Sequence, residues 1–217
     1  MNNKHGFTVV EVLIASTILI LFLGGGFALY IQGQGTINKN TWINNSTRDE
    51  GIAVRELAEL TKRSSYPSRI TADSISVNED NNYKAKCPAG VGNIALNTLP
   101  RDILAFPVCV VATSTNGSIE WVILRLTRNP INVNRCNLDV VHSTRKTFSS
   151  DPGNSILNYS NGMAAASSKT ILRDIESVTV TREATDSARI EIHMSSPKSD
   201  KFKKNVLLKI PLNVAFN

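Results

Sequence analysis

From Phe7 to Ile31 the chain carries a single charged side chain, Glu11, and no further charge appears until Lys39. Those 25 residues, wound as a helix at about 1.5 Å per residue, exceed the roughly 30 Å hydrocarbon core of a bilayer. The segment is long enough to span. A carboxylate inside such a segment costs about 2.5–3.5 kcal/mol on insertion scales, so Glu11 demands a partner or a purpose.

Two ordinary readings of this segment are open. A cleaved secretory signal has an apolar core of about 7–15 residues and a small-residue cleavage site, and Glu does not sit inside that core. An uncleaved signal anchor accounts for the span but for neither Glu11 nor the Gly6-Phe7 junction before it. Lys4 precedes the span, which leaves residues 1–6 cytoplasmic and exports the chain from about residue 32 onward.

The run Gly6-Phe7-Thr8-Val9-Val10-Glu11, after the short leader Met1-Asn2-Asn3-Lys4-His5, resembles the bacterial type IV prepilin and pseudopilin family. Members carry a basic leader ending in Gly, then Phe, then Thr or Ser, and Glu as the fifth mature residue. Val9 and Val10 stand where Leu and Ile are commoner. The resemblance implies that a prepilin peptidase cuts Gly6–Phe7, that Phe7 is N-methylated, and that Glu11 guides subunit assembly. It further implies other pilin or pseudopilin subunits, an inner-membrane assembly platform and membrane lipid as partners. The specific motif lies within residues 1–31; beyond it the likeness is one of general shape.

The remaining length is enough for one globular domain with a core, given 41% apolar residues. The net charge of +6 permits attraction to polyanions without requiring it. The only dense basic cluster, Lys198-Ser199-Asp200-Lys201-Phe202-Lys203-Lys204, reads as a solvated hairpin loop; contact with DNA or another anionic polymer is the alternative and has no other support. Cys87, Cys109 and Cys136 lie beyond the membrane segment, where disulfides persist. Cys87 and Cys136 sit in loop-like sequence and are the expected pair. Cys109, within Pro107-Val108-Cys109-Val110-Val111, is the expected buried thiol. No CxxC or Cys/His grouping suggests a metal, and no cofactor is indicated.

Helical sequence continues from Gly33 to about Ser65, with Ala53, Leu57 and Leu60 on one face and Val54 and Thr61 beside them. Pro67 disfavours helix at Tyr66 and ends it. Gly24-Gly25-Gly26 costs roughly 0.8–1 kcal/mol per residue relative to alanine. It reads either as a hinge, in place of the proline common in the family's first helix, or as a close-packing surface of small residues. The region Glu79–Asn97 reads mostly as a loop, after a short candidate strand at Ser74–Asn78. Strands are expected at Ile103–Ala112 and Ser118–Thr127, joined around Asn116-Gly117, and the second should be central. A polar middle spans about 143–168. Alternation at Val178/Val180, at Ile190/Ile192/Met194 and from Val206 to Val214 then predicts an antiparallel meander, with Pro211 marking an edge.

The expected fold is α+β and pilin-like, a long N-terminal helix packed on an antiparallel sheet. Its parts are a leader at 1–6, a membrane-spanning and assembly segment at 7–31, an exported helical half at 32–66 and a β-rich domain at 67–217. The stretch Ile171–Ser177 before the meander is similar to the J-type minor pseudopilins. GxSxG, HExxH and phosphate-binding glycine loops are all absent, and His142 and His193 have no acid–nucleophile pattern beside them, so no catalytic residue is assigned. The implied role is a non-catalytic minor pilin or pseudopilin in a type IV pilus or type II secretion pseudopilus, first in the bacterial inner membrane and then in the filament. The alternative is a single-pass anchored extracytoplasmic binding or adhesion domain that never polymerises.

Overall fold

A computed structural model describes residues 8–70, 75–77, 81–111, 116–149 and 158–217. One helix, α1 (Val9–Lys62), is followed by β1 (Ser68–Ile70), β2 (Ile75–Val77), a 3₁₀ turn at Asn81–Tyr83, β3 (Gly92–Ile94), β4 (Arg101–Val111), β5 (Asn116–Arg128), β6 (Cys136–Ser143), β7 (Lys146–Ser149), β8 (Ala165–Arg182), β9 (Ser187–Ser196) and β10 (Ser199–Pro211). An apolar helix followed by an antiparallel sheet is the expected α+β arrangement. Residues up to Ile43 and from Asn44 onward form two compact units, with α1 running through the division.

In the second unit, Ala53, Leu57, Leu60 and Thr61 are buried on one face of α1, as their spacing predicts. Val54 beside them stays 47% exposed. Lys204 of β10 reaches Glu50 at 2.7 Å, and Lys169 of β8 pairs with Glu56, so both flanks of that face are tied to the sheet. The helix closes with tighter i→i+3 bonds, Arg63 N to Leu60 O at 3.1 Å and Ser64 N to Thr61 O at 3.0 Å. The Asn213 side-chain amide donates to the orphan Lys62 carbonyl at 3.0 Å.

The main sheet has the order β10-β9-β8-β6-β5-β4, with β3 also pairing β8 and β7 also pairing β5. β5 lies between β4 and β6, and Trp121, Val122, Ile123 and Leu124 are all fully buried, which is why both of its faces are apolar. β8, β9 and β10 form the predicted meander, and β10, ending at Pro211, is an edge strand. The other edge strand, β4, contains Pro107 and is capped by chain crossing it: Lys86 exchanges hydrogen bonds with Ala105 at 2.8 and 2.9 Å, and Ser65 N donates to the Pro107 carbonyl at 3.2 Å.

Several expectations are corrected. Asn116 and Gly117 are not the β4–β5 turn but part of β5, with Gly117 opposite Val111; the turn itself lies outside the described residues. Residues 81–83 and 92–94 are ordered as a 3₁₀ turn and a strand within the expected loop. The middle region contains β7 and the start of β8, because β8 begins at Ala165. Lys198–Lys204 is no loop either: from Ser199 it is β10, and its bulge between Ser199 and Lys203 directs Lys204 onto α1.

Candidate processing and assembly site

Thr8 and Glu11 form a reciprocal cap at the start of α1. The Glu11 carboxylate accepts the Thr8 N–H at 2.9 Å and the Thr8 hydroxyl at 3.0 Å, while the Thr8 Oγ1 accepts the Glu11 N–H at 3.3 Å. This is the capping-box geometry that a Thr-x-x-Glu sequence permits, with two of the helix's orphan donors satisfied by two side chains. The pattern was readable in Thr8-Val9-Val10-Glu11, and it adds a local role for Glu11. Gly6 and Phe7, the expected cleavage and methylation positions, lie outside the described residues.

Beyond the cap, the first part of α1 is unburied along its whole surface. It contains an 18-residue window of mean hydropathy 2.4, none of it buried, which is long and apolar enough to cross a membrane. Leu13, Ile20, Phe22 and Leu29 are all more than half exposed. Ser16 and Thr17 return their hydroxyls to the Leu13 carbonyl at 2.9 and 2.8 Å, so neither presents a free donor to an apolar surrounding. Gly24, Gly25 and Gly26 are helical, and a Cβ built on any of them meets nothing within 4 Å. The helix is unbroken there.

The expected Cys87–Cys136 bridge is not formed; Cys87, Cys109 and Cys136 are all free thiols. Cys136 is not in a loop but opens β6, fully buried, with its Sγ donating to the Ile175 carbonyl at 3.7 Å. Cys87 follows Lys86 on the outer edge of β4, opposite Ala105 and hence Ile123, whereas Cys136 pairs with Arg128 on the far side of β5. From Ile123 to Arg128 is five residues, roughly 16 Å along the strand, and a disulfide needs Cα atoms within about 7 Å. Cys109 is half-buried rather than fully buried. Desolvation pushes both Cys109 and Cys136 up to about 12 and also raises Cys87.

Nothing in the residue pattern announces a buried polar cluster at the β4–β5 pair. Asp102, 1% exposed, accepts from Arg125 Nε at 2.5 Å and Nη2 at 3.2 Å, from the Tyr159 hydroxyl at 2.8 Å and from Gly162 N at 3.2 Å. Arg125 also donates to the Met163 carbonyl at 2.9 Å. Together these bonds hold residues 159–163 over the apolar patch Ala105, Trp121, Ile123 and Val141. Both Asp102 oxygens are engaged and paired with a cation, as a structural anchor requires. His142 lies 3.5 Å from Glu120, which also takes Arg145 at 2.9 Å, and His193 meets Asn205 at 2.6 Å.

No curated protein and no solved structure matches this chain. Residues 1–27 match the family model described as the prokaryotic N-terminal methylation motif, which covers the Gly6-Phe7 junction, Glu11 and Gly24–Gly26 and supports a pilin or pseudopilin processed by a prepilin peptidase.

Proposed function

We propose that the chain is a minor pilin or pseudopilin subunit, cut at Gly6–Phe7, N-methylated at Phe7 and assembled with other pilin subunits from an inner-membrane platform. The observation that carries this reading is a carboxylate within a methylation motif at the head of a wholly exposed apolar helix. As an isolated subunit the helix caps itself through Thr8 and Glu11. In a filament, the carboxylate turns to the Phe7 amine of a neighbour, which remains protonatable after methylation. In a low dielectric that pairing fixes axial register, because an unpaired charge there is costly. Gly24–Gly26 serve as the hinge at which the helix unwinds on assembly.

Counting each variant in purified filaments against its membrane level tests this reading. Glu11→Ala and Glu11→Gln insert and are cleaved but enter filaments poorly, while Glu11→Asp retains part of its incorporation. Wild-type incorporation of Glu11→Ala would overturn the mechanism. A domain that stays anchored and never polymerises shares the apolar helix but has no use for the methylation motif, and nothing specific favours it.

A further inference from the structure

The β5–β6 connection presents two bare apolar side chains on a turn that is firmly held. Ile131 is 92% exposed and Val133 72% exposed. Between and around them, the buried Asn129 accepts the Ile131 and Asn132 N–H groups on its Oδ1 at 2.9 and 3.3 Å, and Asn132 Oδ1 accepts the Asn134 N–H at 3.1 Å. Asn129 N donates to the Arg135 carbonyl at 3.0 Å, which closes the turn. The Asn129 amide is itself fixed by Asp174 Oδ1 at 3.2 Å. The turn therefore meets a partner with little ordering left to do.

Its place in the domain narrows the partner. β10 climbs alongside α1: Lys204 meets Thr47 and Glu50, Leu207 and Leu208 line a groove with Val54 and Leu57, and Asn213 reaches Lys62. The β9–β10 turn consequently stands at the end of the domain where α1 enters, and Ile131 shares a cleft with Pro197 of that turn. In the sequence, residues 32–43 are all that lies between Asn44, the first residue of this unit, and the apolar segment that ends at Ile31. Arg173 shares the cleft of Ile131 and Arg128 that of Val133, and both cations are exposed with no ionic partner among the described residues. Of the acids on β8 beside the turn, Asp174 is engaged by Asn129 and Glu176 by Lys203 at 3.6 Å.

We propose that this turn is a membrane-contact element: Ile131 and Val133 enter the interface of the bilayer that holds the apolar helix, while Arg128 and Arg173 face anionic lipid headgroups. Short apolar insertion combined with basic side chains is how peripheral elements hold an anionic lipid surface. The contact keeps the unassembled subunit's domain close to the bilayer and must be released on leaving it. The proposal rests on the anchored reading of residues 7–31.

The test places tryptophan at Ile131 in the full chain, in nanodiscs of phosphatidylcholine with or without phosphatidylglycerol, using bromine-labelled acyl chains as quencher. Ile131→Trp and Val133→Trp are surface changes, and Thr185→Trp at the opposite end of the domain is the control; the native Trp42 and Trp121 emission is subtracted. Bromolipid should remove roughly half of the emission added at 131 or 133, with loss of the effect when phosphatidylglycerol is omitted, since interfacial elements sit about 5–10 Å deep. Equal quenching at 131 and 185, or none at either, overturns the membrane contact and leaves the turn to a protein partner. Alkaline carbonate washing separates the two readings: a chain retained but unquenched defeats only the turn, whereas a chain washed out of vesicles defeats the anchor and the turn together.

Discussion

Thr8 and Glu11 hold each other at the first turn of α1, with the Thr8 N–H 2.9 Å from the Glu11 carboxylate. That contact gives Glu11 an alternative explanation as a helix cap, and the two roles respond differently to mutation. Thr8→Ala removes the hydroxyl and costs about 0.5–2 kcal/mol of capping, yet leaves the charge for a neighbour. Glu11→Gln keeps a capping-box side chain and removes the charge. The filament account expects Thr8→Ala to be incorporated at more than half the wild-type level, with Glu11→Gln strongly reduced. If Thr8→Ala fails as badly as Glu11→Gln, capping is the function.

Gly24, Gly25 and Gly26 have open space where a Cβ would go, so alanine fits at each. Replacing all three should stabilise the local helix by about 0.8–1 kcal/mol per residue and leave processing and insertion unchanged. If unwinding there accompanies assembly, incorporation of the triple-alanine chain falls. Normal incorporation would favour a packing role for the glycines.

Asp102→Ala leaves Arg125, the Tyr159 hydroxyl and Gly162 N without their shared acceptor. Removing one partner of a buried pair typically costs about 3–5 kcal/mol, and urea titration of the detergent-solubilised chain should show a loss of that order. Near-ultraviolet circular dichroism should also change, because Tyr159 stands 5.5 Å from the Trp121 ring. A loss below about 1 kcal/mol would mean that residues 159–163 are held by something else.

The helix face and the meander were legible because each is a periodic apolar pattern resolved within a dozen residues: Ala53, Leu57 and Leu60 at helical spacing, Ile190, Ile192 and Met194 at period two. β6 was missed for the opposite reason. Asp139 interrupts its apolar run, and that side chain is tolerated at 7% exposure only because Thr127 and Thr170 from the strands on either side each donate at 2.7 Å. No local pattern announces such a partnership. The Asp102 cluster joins residues up to sixty positions apart and was equally invisible. The processing segment was readable because its chemistry is contiguous, from Gly6 to Glu11.

With all three cysteines free, alkylation in denaturant without reductant should add three groups per chain. Two desolvated thiols also set an alkaline limit. Cys109 and Cys136 hold their protons up to about 12 when folded, but an unfolded cysteine loses its proton near 8.5. The folded state therefore binds more protons across this window, and stability present below about pH 8.5 declines as pH rises towards 12. Denaturation followed from pH 8 to 11 should show this decline, and Cys109→Ala with Cys136→Ala should flatten it. Recovery of only one alkylated thiol would restore a disulfide.

The central claim is that the chain is a processed, methylated subunit, and the intact mass of the protein extracted from membranes of its native host tests it most directly. The account predicts a chain of residues 7–217 carrying one methyl group on Phe7. A mass corresponding to the unmodified chain from Met1 would contradict it, since neither the cleavage at Gly6 nor the amine that Glu11 is to meet would exist.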